Sequence, residues 1–291
     1  MSNLSSTILS KRKRIDSIFR NISKIVTWSS MLILAILLYH VSITGIERLS
    51  FDFLDRFPSR FPDKAGIKSA LHGSIWMLTL VTIISVPIGV ITAIYLEEYG
   101  KKNRLTRFIE INIANLAGVP SIVYGLLGLA IFVRFFQWDR SVLAGSFTMS
   151  LLILPVIIIA SREAIRAVPQ SIRLGAYAVG ATRLQTVVHH VLPIATPSIL
   201  TGVILAMSRA IGETAPLIMI GALTYVAFVP ETIMDPFTTL PIQIFNWAAR
   251  PQAAFHEVAA GGIIILLIAV SYTHLRAHET KANLVCRLLL E

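Results

Sequence analysis

Six apolar runs, at residues 26–46, 70–96, 108–136, 142–161, 195–223 and 255–273, set the terms on which this chain can fold. A helix needs about 20 predominantly apolar residues to cross a bilayer, and each run is near that length or beyond it. Composition agrees: 55% of the 291 residues are hydrophobic and 14% charged, with mean hydropathy +0.71, whereas soluble domains carry about 25% charged residues. The runs predict an all-α, polytopic membrane protein with six transmembrane helices. The first run is too long for a signal-peptide core of roughly 7–15 residues, and no small-residue cleavage site follows it, so it reads as a retained helix. The third and fifth runs are long enough to tilt or kink, with Pro120 and Pro216 as kink points.

Charge orients the helices. The balance is +10, from 26 Lys and Arg against 16 Asp and Glu. In a membrane protein such an excess marks cytoplasmic loops rather than a nucleic-acid partner. Lys11-Arg12-Lys13-Arg14 precedes the first run. Loop 97–107 holds Lys101, Lys102, Arg104 and Arg107 against Glu97 and Glu98, and loop 162–190 holds Arg162, Arg166, Arg173 and Arg183 against Glu163. This pattern puts both termini inside and leaves 47–69 and 224–254 outside. Phe245 and Trp247 in the latter suit an interfacial helix. The organisation expected is a cytoplasmic segment, 1–25, followed by one multi-pass membrane domain, 26–273, in contact with lipid.

Enzymatic signatures are missing. Gly100-Lys101-Lys102 lacks the upstream glycine and the Ser/Thr of a phosphate-binding Walker A loop, so ATP hydrolysis is not expected of this chain. His189 and His190 are adjacent, point to different helix faces and make a poor metal pair. Neither HExxH nor GxSxG occurs. No catalytic residue, metal site or bound cofactor is predicted, and the single cysteine, Cys286, excludes an internal disulfide.

Two constellations carry functional information. Loop 162–194 spans about 33 residues where a helix connection needs roughly 2–8. It starts Arg162-Glu163-Ala164-Ile165-Arg166, which reads as a short helix broken at Pro169. Residues 171–178 can form another, with Gly175, Ala176 and Ala178 around Tyr177 and with Gly180 supplying a left-handed turn. Small side chains there admit another protein close to the backbone, so the loop reads as a docking element. In the fifth run, Arg209 and Glu213 are spaced i,i+4 and can pair on one helix face. A charge at the middle of a membrane helix costs about 2.5–3.5 kcal/mol, so both face the bundle interior or a wet cavity. One reading is a structural pair joining two helices; the other is a pair, with Thr214 beside it, that lines or gates a pathway and favours an anion. The stretch Asn115 to Gly125 has the same two readings: Gly118 and Pro120 loosen the helix, Ser121 can bond a freed carbonyl, and Gly125 and Gly128 admit close neighbours.

At these residues the chain resembles the permease subunit of bacterial ABC importers, with the MetI-like fold. The superfamily's docking motif reads Glu-Ala-Ala, three residues, Gly, nine residues, Ile, one residue, Leu-Pro. Its frame falls on Leu174-Gly175-Ala176, Gly180, His190 and Leu192-Pro193, with four of seven identities. GVPSIVYGLLGL (118–129), SIRLGAYAVGATRLQTVVHHVLP (171–193), RAIGETAPL (209–217) and FVPETIMDPFTTLPIQIFNWAARP (228–251) are similar to the phosphate importer's PstA-type permease. The resemblance implies a six-helix subunit in the cell inner membrane, paired with a second, PstC-type permease. It implies a cytoplasmic ATPase dimer, which holds ATP and Mg, and an extracytoplasmic phosphate-binding protein. It implies that Leu174, Gly175, Ala176, Tyr177, Gly180, Arg183, Leu192 and Pro193 belong to the ATPase-coupling loop, and that Arg209 and Glu213 match the family's intramembrane charges. The sequence leaves two rivals open: the same architecture moving molybdate, tungstate or sulfate, and a non-transporting scaffold for phosphate signalling.

Two departures qualify the resemblance. Leu174 replaces the motif's glutamate, so coupling must rest on shape and on other residues. The last clean apolar run is only Val258–Val270, so a sixth helix must recruit Ala253–Glu257 or Tyr272–Thr273. Residues 274–291 match nothing in the family and read as an atypical, non-native tail.

Overall fold

The structure is a computed structural model that describes residues 2–101, 103–222 and 225–288. Among them the chain is helical with no strand, apart from one isolated bridge, Ser141 to Pro236. α1 (Ser2–Ile46) is one continuous helix that includes the polar N-terminal segment. Its membrane-length part, Ile15–Ile46, is almost entirely exposed; α1 packs against the last helix, and its burial concentrates near its end, at Gly45. There a Cβ on Gly45 would lie 2.6 Å from the Ala260 carbonyl carbon, so only glycine permits the contact. Lys68–Tyr99, Val142–Arg166, Arg183–Gly212 and Ala253–Thr273 are also long and apolar enough to cross a membrane. With Arg104–Ala117 and Ser121–Phe135 taken as one bent span, the described residues hold six.

The bundle is organised around α6 (Val142–Arg166), which packs against α3 (Lys68–Ile94) on one side and α9 (Leu192–Gly212) on the other. Small residues make this possible: a Cβ on Gly89 would meet Ile157 at 2.6 Å, and one on Gly202 would meet Ala160 at the same distance. Close backbone approach of this kind substitutes for a hydrophobic drive between helices in lipid. Met77, Val81, Met149, Ile153, Ile157 and Val203 fill the seams. Four hydroxyls in α3 and α6 bond back to their own helices: Thr82 to the Leu78 carbonyl, Ser85 to Val81, Ser146 to Val142 and Thr148 to Ala144. These four hydroxyls are thus satisfied without water, whereas those of Ser69, Ser150 and Ser161 are buried with no hydrogen-bond partner.

The two segments predicted to face outside pack on each other. α2 (Phe51–Asp55), capped by Ser50, sets Phe53 against Trp247 of α11 (Leu240–Ala248), with ring centroids 5.9 Å apart. Ile67, Phe255 and Val258 complete this second core. The expectation of an interfacial helix is therefore corrected. α11 exists, but Trp247 is fully buried and Leu240, Pro241, Ile242, Gln243 and Ile244 are buried with it; Phe245 alone of the pair is exposed. The loop before α11 is held at α6's start, where the Val142 and Leu143 amides donate to the Asp235 and Ile233 carbonyls. The Asp235 carboxylate accepts from the Glu231 and Thr232 amides and the Thr232 hydroxyl, with the Thr232 amide the largest influence holding its pKa below the usual carboxylate range.

α12 (Ala253–Leu288) begins at Ala253 and its membrane-length part ends at Thr273, so the sixth helix recruits both flanks of its short apolar run. The recruited Glu257 is paired with Arg48 at 2.8 Å, and Thr273 is hydrogen-bonded to Ser208 of α9 at 2.7 Å. Of the segment set apart as a tail, the backbone of 274–288 continues α12, and residues 289–291 lie outside the described residues.

Candidate translocation path and docking surface

The third and fifth runs read as continuous helices in the sequence, and both are broken in the structure. α4 (Arg104–Ala117) stops at Gly118, and α5 (Ser121–Gly128), extended by a π-helical stretch Leu129–Phe135, leaves at 100°. Pro120 ends the first helix because it lacks an amide hydrogen and excludes the helical conformation at Val119. The expected kink is thus a full break. The Leu116 carbonyl, which Pro120 cannot serve, accepts from the Val119 amide at 3.1 Å and the Tyr124 hydroxyl at 2.8 Å, not from Ser121. The fifth apolar run extends over 195–223, but α9 ends at Gly212. Glu213 is extended (φ −74°, ψ 124°), and a short helix, α10 (Ala215–Met219), starts with Pro216 at its second position. Leu223 lies outside the described residues.

The two breaks are neighbours. α5 packs on α10 so closely that a Cβ on Gly125 would sit 2.7 Å from the Pro216 Cα and 2.8 Å from the Met219 Cβ. One turn further along α5, a Cβ on Gly128 would overlap the Thr148 hydroxyl of α6 at 2.1 Å. Arg209 lies in the last turn of α9 and donates through Nε to Glu213 Oε1 at 3.2 Å, so the pair closes across the helix end. The two partners differ in environment: the Arg209 side chain is 54% exposed along this chain and Glu213 only 17%. Thr214 is half-buried, and Gly212 has open space around the position of a Cβ. Irregular backbone at membrane depth survives only where protein covers it or water reaches it.

The residues read from the sequence as a docking element gather at the opposite end of α9. The reading of Arg162–Arg166 as a separate short helix is corrected: these residues are the last turn of α6, and the break follows at Ala167–Pro169. α7 (Gln170–Ala178) then buries Arg173 and Ala176 and exposes Leu174, Gly175 and Tyr177. Gly180 has φ +83°, a conformation glycine adopts without strain, and it turns the chain into α8 (Arg183–Thr186). A reciprocal capping box between Thr182 and Gln185 fixes the start of α8. Arg183 stacks over the Tyr99 ring at 5.2 Å. Leu192 and Pro193 begin α9, Leu192 partly buried and Pro193 exposed.

Sequence reasoning missed the carboxylates that hold this end together. α3 closes in a π-helical turn, Tyr95–Tyr99. Glu97 on that turn pairs with Arg162 at 3.2 Å and Arg166 at 2.6 Å, while Glu110 of α4 pairs with Arg162 at 2.8 Å. Glu98, buried, pairs with Arg173 at 2.6 Å. Two acids at the end of an apolar run beside a basic loop are the signal that could have revealed them.

A membrane bundle with two helices interrupted side by side, and with a short exposed helix held beneath it, defines the membrane component of a transporter. The model of the family described as "binding-protein-dependent transport system inner membrane component" matches residues 85–281, reaching into the segment read as a tail. This chain belongs to that family, and is a multi-pass membrane permease subunit rather than an enzyme. It is 33% identical over 257 residues to a probable ABC transporter permease protein, YqgI, of Bacillus subtilis, covering 84% of this chain and 87% of that one. It is 30% identical over 268 residues to the phosphate transport system permease protein PstA of Pasteurella multocida, covering 92% and 94%. It is 36% identical over 209 residues to that of Mycobacterium leprae, covering 71% and 67%. Among solved structures, a chain of the inward-facing MetNI methionine ABC transporter superposes with TM-score 0.57 over 74% of this chain and 94% of that one. At 16% identity this is a likeness of fold.

Proposed function

We propose that this chain is the permease subunit of an ATP-driven inorganic phosphate importer. It forms the translocation path with a second, PstC-type permease and takes its drive from a cytoplasmic ATPase dimer that binds ATP and magnesium. An extracytoplasmic phosphate-binding protein supplies the substrate, and the N-terminus is cytoplasmic. The PstA relatives support the substrate. The observation that carries the path is the interruption of α9 at Gly212–Thr214 with Arg209 exposed beside it. An exposed guanidinium at membrane depth costs too much to face lipid, so it faces the second permease or the aqueous path. Glu213 neutralises it only through a single 3.2 Å contact, which leaves donors for a tetrahedral oxyanion. The exposed face of α7 suits the ATPase, with Leu174, Gly175 and Tyr177 offering shape rather than charge.

The test is labelled phosphate uptake by cells lacking their own permease of this type. They express this chain with its three partners and are challenged with unlabelled sulfate and molybdate. Uptake that resists both competitors and falls at least tenfold in Arg209→Gln supports the reading. Competition by molybdate or sulfate reassigns the substrate. Full uptake by Arg209→Gln removes that residue from the path, and phosphate-responsive signalling without uptake favours the scaffold.

A further inference from the structure

We propose that Glu98 and Arg173 are a positioning pair that forces α7 and the cytoplasmic ends of α3 and α6 to move as one body. This rests on the reading that an ATPase seats on the exposed face of α7. The guanidinium of Arg173 joins three elements. Its Nε and Nη2 donate to Glu98 Oε1 on α3's π-helical turn at 2.9 and 2.6 Å. Its Nη2 donates to the Ile165 carbonyl in the last turn of α6 at 3.0 Å, and its Nη1 to the Val168 carbonyl in the break that follows at 2.7 Å. A cation is well placed there, because the C-terminal carbonyls of a helix carry partial negative charge. Both side chains are about nine-tenths buried or more, at 6% and 10% exposure. Solvent therefore screens the pair little, and parting the two charges would strand each of them in protein.

The surroundings give the pair its mechanical meaning. α3 and α6 are already locked to each other by Glu97 through Arg162 and Arg166. α7 is not locked by its chain connections: it lies between the Ala167–Pro169 break and the left-handed turn at Gly180. It buries Arg173 and Ala176 and sets the partly buried Ile172 against the main core, so its apolar contact is a narrow strip. Arg173 is the residue that turns a loosely packed helix into a lever.

The experiment uses the full assembly in proteoliposomes and reads phosphate imported per ATP hydrolysed, with the assembled yield measured separately. Glu98→Gln keeps the shape and removes the charge, and should lower that ratio about tenfold, within the usual span of inter-site coupling, at unchanged yield. Glu98→Cys with Arg173→Cys, in a Cys286→Ser background, should be uncoupled in the same way. A short bis-methanethiosulfonate, which forms a disulfide with each cysteine and releases a sulfinate at each end, should then recover most of the ratio, which a merely stabilising contact would not do. An unchanged ratio in Glu98→Gln overturns the proposal, as does failure of the cross-linker to restore coupling in a well-assembled complex. Loss of assembly in both variants also overturns it, by making the pair a folding requirement. A wild-type assembly that imports no phosphate refutes the substrate reading instead.

Discussion

Gly125 is the position where a single methyl group tests how the two broken helices meet. A Cβ there would stand 2.7 Å from the Pro216 Cα, 2.8 Å from the Met219 Cβ and 2.8 Å from the Pro216 carbonyl oxygen. Carbon atoms sit best at about 3.5–4.0 Å, so α10 must retreat by about 1 Å. Two of the three obstacles are backbone and cannot rotate away. Overpacking of this kind costs about 1–3 kcal/mol, against a gain of about 1 kcal/mol in helix propensity when alanine replaces glycine. Gly175, also inside a helix, has nothing within 4 Å of a Cβ and receives the gain alone. The difference between Gly125→Ala and Gly175→Ala is therefore the steric cost, about 1–3 kcal/mol. Reversible unfolding in mixed micelles of increasing denaturing detergent measures it. Gly125→Ala should unfold earlier than Gly175→Ala, and its uptake should fall because the two breaks are pushed apart. Equal unfolding of the two variants would refute the close approach of α5 to α10.

Three further outcomes follow from the geometry. Gly180→Ala places a side chain at φ +83° and should destabilise the docking loop by about 1 kcal/mol, read as faster proteolysis between α7 and α8. Trp247→Ala empties the second core around Phe53 and Phe255 and should cost about 3–5 kcal/mol, a loss that an interfacial tryptophan would not show. Asp235 has a lowered pKa, so its contribution to stability is complete above its unfolded value of about 3.9 and is lost as pH falls through the lower folded value. Asp235→Ala should thus melt below wild type at neutral pH, with the gap closing in acid; a gap that widens in acid contradicts the assignment.

The legible part of the fold is the part governed by hydrophobicity and length. Lys68–Tyr99 and Val142–Arg166 lie where the apolar runs put them, because a span of that length has one inexpensive conformation in lipid. α7 and its glycine turn are legible for the same kind of reason: Pro169 and Gly180 act locally. The breaks at 118–120 and 212–214 are harder. Pro120 and Pro216 announce a disturbance, but whether a proline kinks a helix or ends it depends on what the neighbouring chain offers the freed groups. Here that is the Tyr124 hydroxyl and the α5–α10 contact. Trp247 is misplaced by its sequence because an aromatic near the membrane surface has the same signature whether it faces headgroups or Phe53. Glu98 reads as a loop charge because its partner lies 75 residues away.

The central claim is that the interrupted end of α9 lines the path of phosphate, and Gly212 offers the most direct measurement. A Cβ at Gly212 has nothing within 4 Å, so Gly212→Cys in a Cys286→Ser background should fold and transport. ATP-driven uptake of labelled phosphate is followed in the reconstituted assembly before and after a small, charged, membrane-impermeant thiol reagent. The account predicts that the reagent reaches the introduced thiol and blocks uptake, and that a cycling transporter supplied with phosphate is protected. A thiol at this position that never reacts while transport proceeds, or one that is fully modified without any loss of uptake, would contradict it.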